Sequence, residues 1–127
     1  MKIKVKQLGN KSYQVKLSNR NMRSALETQL SLAKFDDMDE DTSWIEQNKQ
    51  VLATLDMMLD FIREILKLTD KENEKLQELE YQETIEITNY IIARMNGMSD
   101  EDLKKAQEVD AQKSSARSGD LGTAEPA

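Results

Sequence analysis

The chain has 127 residues, of which 33% are charged and 38% hydrophobic, and its net charge is −6. This is the length of one domain, and no apolar run approaches the roughly 18 residues that a transmembrane helix needs. The absence of His and Cys removes the usual zinc ligands, thiolate nucleophiles and the side chain best suited to proton transfer near neutral pH. Since no secretory signal follows Met1, we expect a cytoplasmic protein that is not an enzyme and holds no metal or cofactor.

The first 17 residues alternate between apolar and polar side chains with a period of two. Ile3 and Val5 alternate with lysines, and Tyr13 and Val15 continue the alternation after a Gly-Asn dipeptide. Gly-Asn between two such runs is typical of a two-residue hairpin turn, because glycine adopts the positive φ that the turn requires. We therefore predict a β-hairpin over residues 1–17. An isolated hairpin is marginally stable, so its apolar face must lie on the helices of this chain or on a neighbouring subunit.

From Ser18 onward the apolar residues recur with the period of a helix. Ser18 or Asn19 can cap a first helix that extends to about Phe35. Its apolar stripe is formed by Met22, Leu26, Leu30 and Ala33. An acidic connector over residues 36–41 separates it from a second helix. That second helix can begin at Thr42 or Ser43, and it is apolar on more than one face as far as Leu66 and Leu68.

Three shorter helices are predicted after the second. Thr69-Asp70-Lys71-Glu72 has the pattern of a capping box that begins a short polar helix. A further helix is predicted from Tyr81 to Met95, where Asn96-Gly97 supplies a left-handed stop, and Ser99 can begin a last short one. The prediction is one α+β, mostly helical domain over residues 1–109, with an N-terminal β-hairpin followed by a bundle of about four to five helices. Residues 110–127 contain too little apolar surface to offset the entropy of ordering and are predicted to form a disordered tail.

Charge is distributed unevenly along the chain. Residues 1–35 carry a net charge of +7 and residues 36–127 a net charge of −13. Two solvated faces would account for this, but a basic end can also attract an acidic surface on another copy or hold a nucleic acid. Head-to-tail contacts of this kind close into a ring or continue as an open spiral. The residues predicted to mediate self-association are Ile3, Val5, Tyr13, Val15, Arg20 and Arg23.

The second helix also contains the best candidates for binding another protein. Seven methionines are present, and Met is frequent on surfaces that accommodate varied apolar partners. Met57 and Met58 lie in the middle of this helix, and Met57 and Phe61 lie outside its main apolar stripe. We therefore predict that Met57, Met58 and Phe61 form a partly exposed apolar patch that binds a client protein.

Two segments of the chain carry a resemblance to a known family. A Lys-rich hairpin is followed by SNRNMRSALETQLSLAK at residues 18–34, an acidic gap, and LDMMLDFI at residues 55–62. Over about residues 1–108 this order of elements resembles the tail assembly chaperones of long-tailed, siphovirus-type phages that infect Gram-positive bacteria.

The resemblance implies a small, mostly helical chaperone that is not an enzyme. Such a protein coats the tape measure protein, keeps its apolar helices soluble, recruits tail tube subunits in the host cytoplasm, and is not retained in the mature virion. The resemblance also implies a longer form made by ribosomal frameshifting. The alternative is a small phage-encoded regulator that binds nucleic acid through the basic N-terminal third. The acidic balance of the whole chain and its 5% aromatic content argue against that alternative.

Overall fold

The computed structural model describes residues 1–37, 39 and 41–105, with the side chain of residue 36 left out. The chain divides into two compact units, Met1–Asn96 and Gly97–Ala127. The first unit contains the β-hairpin and the long helices, and the described part of the second contains a short helix over residues 100–105. The predicted domain boundary after residue 109 and the predicted disordered tail over 110–127 lie outside the described residues.

The N-terminal hairpin is formed by strand β1 (Lys2–Lys4) and strand β2 (Ser12–Gln14). The strands are antiparallel, and Ile3 lies opposite Tyr13. Main-chain hydrogen bonds between Met1 and Val15, 2.7 and 3.1 Å long, extend the pairing beyond the strands. The predicted hairpin is confirmed.

The connection between the strands differs from the prediction. A short 3₁₀ helix, Lys6–Leu8, follows β1, so the prediction of a two-residue Gly-Asn turn is wrong. Gly9 does adopt a positive φ of 125°, but it ends the 3₁₀ helix. The physical reason is the burial of Leu8, which is only 5% exposed. The 3₁₀ turn directs this side chain into the core, whereas a longer strand would place Leu8 with the exposed lysines on the other face of the sheet.

The two longest helices are joined by the connector over residues 37–43. Helix α1 (Asn19–Asp36) begins at Ser18, whose hydroxyl accepts a hydrogen bond from the Asn21 amide at 3.2 Å. Helix α2 (Trp44–Leu66) begins at Ser43, whose hydroxyl accepts one from the Glu46 amide at 3.2 Å. These caps satisfy amide groups that have no partner within the helix. Because α1 and α2 are consecutive and in contact, they form an antiparallel helical hairpin.

The two shorter helices of the first unit follow the predicted signals. Helix α3 (Asp70–Gln77) has the predicted capping box, with Thr69 and Glu72 each bonded to the other's main-chain amide. Helix α4 (Tyr81–Met95) is followed by Gly97 at a φ of 98°, which is the left-handed stop. In the second unit, Ser99 and Asp102 form a reciprocal cap on the helix over residues 100–105.

The core of the first unit lies between the hairpin and the helices. The inward face of the hairpin joins one cluster with residues of all four helices, and α4 contacts both α1 and α2. The members are Ile3, Val5, Leu8, Tyr13, Val15, Ala25, Phe61, Ile62, Ile65, Leu66, Leu76, Ile87, Ile91, Ile92 and Met95. The predicted fold class, an α+β and mostly helical protein with an N-terminal hairpin, is confirmed.

Candidate functional site

The structure buries two of the three residues that were predicted to bind a client. Met58 is 0% and Phe61 2% exposed, while Met57 is 36% exposed. The predicted exposure is therefore wrong for Met58 and Phe61. The reason is that α2 contacts both α1 and α4, so that residues outside its main apolar stripe, such as Phe61, are also buried inside the protein. A contact between Met57 and a client stays a prediction.

The apolar face of the hairpin is likewise turned inward. Ile3, Val5, Tyr13 and Val15 are each at most 3% exposed and pack on the helices of the same chain. The sequence left open whether this face packs on the helices of its own chain or on a neighbouring subunit. The structure shows that it packs on its own chain. Arg20 and Arg23, in the first turns of α1, are exposed.

A polar contact ties the hairpin to α3. The Tyr13 hydroxyl donates a hydrogen bond to Oε2 of Glu72, and the Lys11 ammonium lies 3.5 Å from Oε1 of the same carboxylate. The hydrogen bond from Tyr13, together with that from the Thr69 amide, lowers the pKa of Glu72 to about 2. Burial, reinforced by the Glu72 carboxylate, raises the pKa of the Tyr13 hydroxyl. The contact therefore holds Glu72 ionised and Tyr13 protonated at neutral pH.

We expect Tyr13→Phe to lower the free energy of unfolding by about 1.5 kcal/mol at pH 7, because the variant loses a hydrogen bond to a charged acceptor that keeps some solvent access. The pKa of Glu72 is lower in the folded state than its ordinary value of 4.5. This contribution is therefore complete above about pH 4.5 and is lost as the pH falls toward 2. Urea unfolding of both proteins at several pH values measures the difference. A difference that does not shrink on acidification would contradict the assignment.

The outer part of the helical hairpin exposes a set of large apolar side chains. Every buried residue of α2 lies at or beyond Thr54, and no described residue of α1 beyond Thr28 is buried. The two helices therefore extend past the core. The exposed residues in this part, which we call the distal apolar surface, are Leu26 (51% exposed), Leu30 (65%), Trp44 (71%), Ile45 (51%) and Leu52 (59%).

The apolar stripe predicted for α1 thus lies largely on the surface. Leu26 and Leu30 are exposed, whereas Ala25 and Thr28 are the buried residues of α1. A small residue and a threonine at the buried positions let α1 approach its neighbours closely. The leucines are consequently directed away from that contact, because successive residues of a helix are rotated by about 100°.

A cleft lies between α2, α3 and the first turn of α4. It has a volume of about 230 Å³ and is lined by Leu55 and Leu59 of α2, Leu76 and Gln77 of α3, Leu79, and Tyr81 and Thr84 of α4. The first turn of α4 therefore lies beside the middle of α2. Tyr81 is itself 38% exposed, so the apolar lining of the cleft reaches solvent at this point.

The distal part of the helical hairpin is also acidic. Between residues 26 and 56 the sequence has eight acidic and two basic side chains, a net charge of −6. Large apolar side chains that are exposed beyond the core of a small protein are candidates for an interaction site. Across residues 1–37, 39 and 41–105, no cluster of three or more potential metal-ligating side chains is present. No helix within the same described residues is long and apolar enough to span a membrane.

These features define a small helical interaction protein with an apolar and acidic surface. Residues 1–111 match the sequence profile of the family described as phage tail assembly chaperone proteins, TAC. The match spans most of the chain, and the protein therefore belongs to the phage tail assembly chaperone family. No curated protein and no solved structure matches the chain.

The family membership has two direct consequences. The role of the family is that of a chaperone in phage tail assembly, which is not an enzymatic role. It also implies that the partners of this protein are other proteins, and it favours the chaperone interpretation over a regulator that binds nucleic acid.

Proposed function

We propose that this chaperone coats the tape measure protein during tail assembly and keeps its apolar helices soluble. The observation that carries this proposal is the distal apolar surface, whose large apolar side chains are exposed beyond the core and belong to a net acidic stretch of the sequence. An apolar client segment lying on this surface removes both apolar faces from water. The negative charge of the chaperone keeps the complex dispersed.

The proposal includes the other steps expected of the family. The coated tape measure protein recruits tail tube subunits in the host cytoplasm, and the chaperone leaves before the virion is complete. A longer form of the chain, made by ribosomal frameshifting, provides the contact with the tube subunits. A slippery heptanucleotide and an overlapping reading frame at the end of the gene would support this last element.

Self-association along the client is a further part of the proposal. Since the apolar face of the β-hairpin is buried within its own chain, the remaining candidates are the exposed Arg20 and Arg23, which can contact the acidic surface of the next copy. Exposed ion pairs contribute only about 0–1 kcal/mol each. We therefore propose weak contacts between copies that become effective when a long client aligns many of them in a ring or spiral.

We expect co-expression with the tape measure protein of the same phage to keep that protein soluble and to yield a complex with several chaperone copies. Sedimentation of the purified complex at low salt and at 1 M salt tests the contacts between copies. The Debye length at 1 M salt is about 3 Å, so the complex should lose chaperone copies at the higher salt concentration.

A double variant, Arg20→Glu with Arg23→Glu, separates the two parts of this experiment. It reverses the charge of the proposed contact and changes no buried side chain, so it should reduce the number of bound copies and leave the chaperone folded. Aggregation of the tape measure protein in the presence of the unaltered chaperone would contradict the proposed function.

A further inference from the structure

We propose that two free copies of this protein pair through the outer face of α1, in antiparallel orientation and about a two-fold axis near Leu30. The pairing does not rest on the proposed function, whose contacts between copies run head to tail along a client. It follows from three features of α1: a face that no described element covers, exposed leucines at the centre of that face, and charges that complement a reversed copy of the same helix.

The outer face of α1 has the residue spacing of a helix that packs on another helix. Its members follow one another at alternating intervals of four and three residues, and at about 100° per residue they lie within a stripe about 80° wide. All of them are exposed, and they are Asn19, Arg23, Leu26, Leu30, Ala33 and Asp37. The buried Thr28 and the half-buried Phe35 lie on the opposite side of the helix. The described part of the chain therefore packs on the other side of α1 and leaves this face free.

The centre of the face is apolar. Leu26 is 51% and Leu30 is 65% exposed, and Ala33 follows them on the same stripe. A small residue beside two leucines lets a second helix approach closely. Pairing of two such faces removes the leucines of both copies from water, which is favourable. Since Leu30 lies near the proposed axis, it meets Leu30 of the partner subunit.

The charged residues of α1 fix the position of the axis. In an antiparallel pair, residues at equal distances on either side of a two-fold axis meet. Arg23 and Asp37 are each seven residues from Leu30, and Glu27 and Lys34 are three and four residues from it. One axis near Leu30 therefore brings Arg23 to Asp37 of the partner subunit and Glu27 to Lys34 of the partner subunit. By symmetry each ion pair forms twice.

The same charges favour a second copy of this chain as the occupant of the face. Residues 19–37 contain three basic and three acidic side chains, so two copies do not repel one another here although the whole chain has a net charge of −6. Among the described residues, Arg23, Glu27, Lys34 and Asp37 form no ion pair within their own chain. A parallel pair would place like charges together, whereas the antiparallel pair places opposite charges together.

The pairing covers only part of the distal apolar surface. It removes Leu26 and Leu30 from water, whereas Trp44, Ile45 and Leu52 belong to α2 and not to the paired face. The free chaperone thereby exposes less apolar surface while its second helix stays accessible to a client.

The first test is sedimentation equilibrium of the full chain without client. We expect a monomer to convert to a dimer as the protein concentration is raised through the micromolar range. One helix of about 27 Å from each copy is a small contact, below the roughly 1,200 Å² at which stable interfaces begin, so the association is weak and reversible. A chain that stays monomeric at the highest attainable concentration would overturn the inference.

The decisive variant is Leu30→Glu. It removes two leucines from the contact and places two like charges at the axis, so we expect the dissociation constant of the dimer to rise at least about tenfold. Leu17→Glu is the matched control, since Leu17 is 50% exposed and precedes α1. Both variants should keep the melting temperature of the unaltered protein. A dimer that Leu30→Glu weakens no more than Leu17→Glu does is formed elsewhere, and the inference is then wrong.

The orientation is tested by cross-linking, because the chain has no cysteine of its own. Under mild oxidation we expect Leu30→Cys to form a disulfide between two copies, since residue 30 meets its own counterpart only at a two-fold axis. Leu17→Cys is the control, because an axis near Leu30 places its two copies roughly 40 Å apart along the helix direction. Equal cross-linking of the two variants contradicts the antiparallel pair.

A charge exchange tests the ion pairs. Arg23→Asp and Asp37→Arg should each raise the dissociation constant at least about threefold, and the two together should restore it. An acid near the start of α1 and a base at its end suit the helix dipole, so a loss of pairing in the single variants does not come from a weakened helix. A combined variant that pairs no better than the single ones is evidence against this register.

The outcome for the dimer is separate from that for the proposed function, because dimerisation is measured without client and the function by the solubility of the tape measure protein. A monomeric chain that solubilises this protein leaves the function standing and removes the inference. If Leu30→Glu leaves sedimentation unchanged but lowers capture of the tape measure protein, the client occupies this face and the inference is overturned.

Discussion

Replacing Phe61 with Ala should lower the free energy of unfolding by about 3–5 kcal/mol. Phe61 is 2% exposed and belongs to the core cluster, so the substitution removes buried apolar surface and leaves a cavity. Met57, one turn earlier on the same helix and 36% exposed, provides the control, for which we expect a loss below about 1 kcal/mol on substitution by Ala. Urea unfolding followed by circular dichroism measures both values.

This comparison also decides how client-binding variants can be interpreted. A double variant of Met57 and Phe61 would destabilise the core as well as alter the surface, so a loss of client capture could not be assigned to the surface. If Phe61→Ala instead left stability unchanged and weakened capture, Phe61 would be exposed in solution and the core described above would be wrong.

Deletion of residues 1–17 should abolish cooperative unfolding of the remaining chain. The deletion removes five side chains that the structure buries in the core, namely Ile3, Val5, Leu8, Tyr13 and Val15. The loss of each such side chain typically costs about 2–5 kcal/mol, so five of them cost about 10–25 kcal/mol, which is as large as or larger than the roughly 5–15 kcal/mol by which a domain is stable. Thermal melting followed by circular dichroism, together with binding of a dye that reports exposed apolar surface, measures the effect.

The exposed face of the same hairpin supplies the control for this deletion. Lys2 and Lys4 alternate with the buried Ile3 on β1 and are exposed, so their replacement by Ser should change the free energy of unfolding by less than about 0.5 kcal/mol. A deleted chain that still melts cooperatively would show that the hairpin is a separate appendage. In that case its apolar face would again become a candidate for contacts between copies.

The sequence by itself determined the secondary structure closely, because those signals are local. Thr69 caps its helix as predicted, and Ser18 and Ser43 are each one of the two residues predicted as possible caps, since a hydroxyl beside the first turn needs only the neighbouring amides. Gly97 ends α4 because it accepts a positive φ more readily than other residues do. The alternation in residues 1–17 predicted which side chains of the hairpin point inward and which outward, because successive side chains of a strand point to opposite faces. Resemblance over the two helical segments indicated the family, which the profile match confirms.

The tertiary structure alone decided which apolar residues are available to a partner. Helix α2 is apolar on two faces, and periodicity cannot say which neighbours cover them. Packing against α1 and α4 buries Met58 and Phe61, and the late start of α4 at Tyr81 leaves Ile45 and Leu52 exposed. That the first part of α2 is exposed could be recognised only when the lengths and positions of the packed helices were known, because burial depends on neighbours that are distant in the chain.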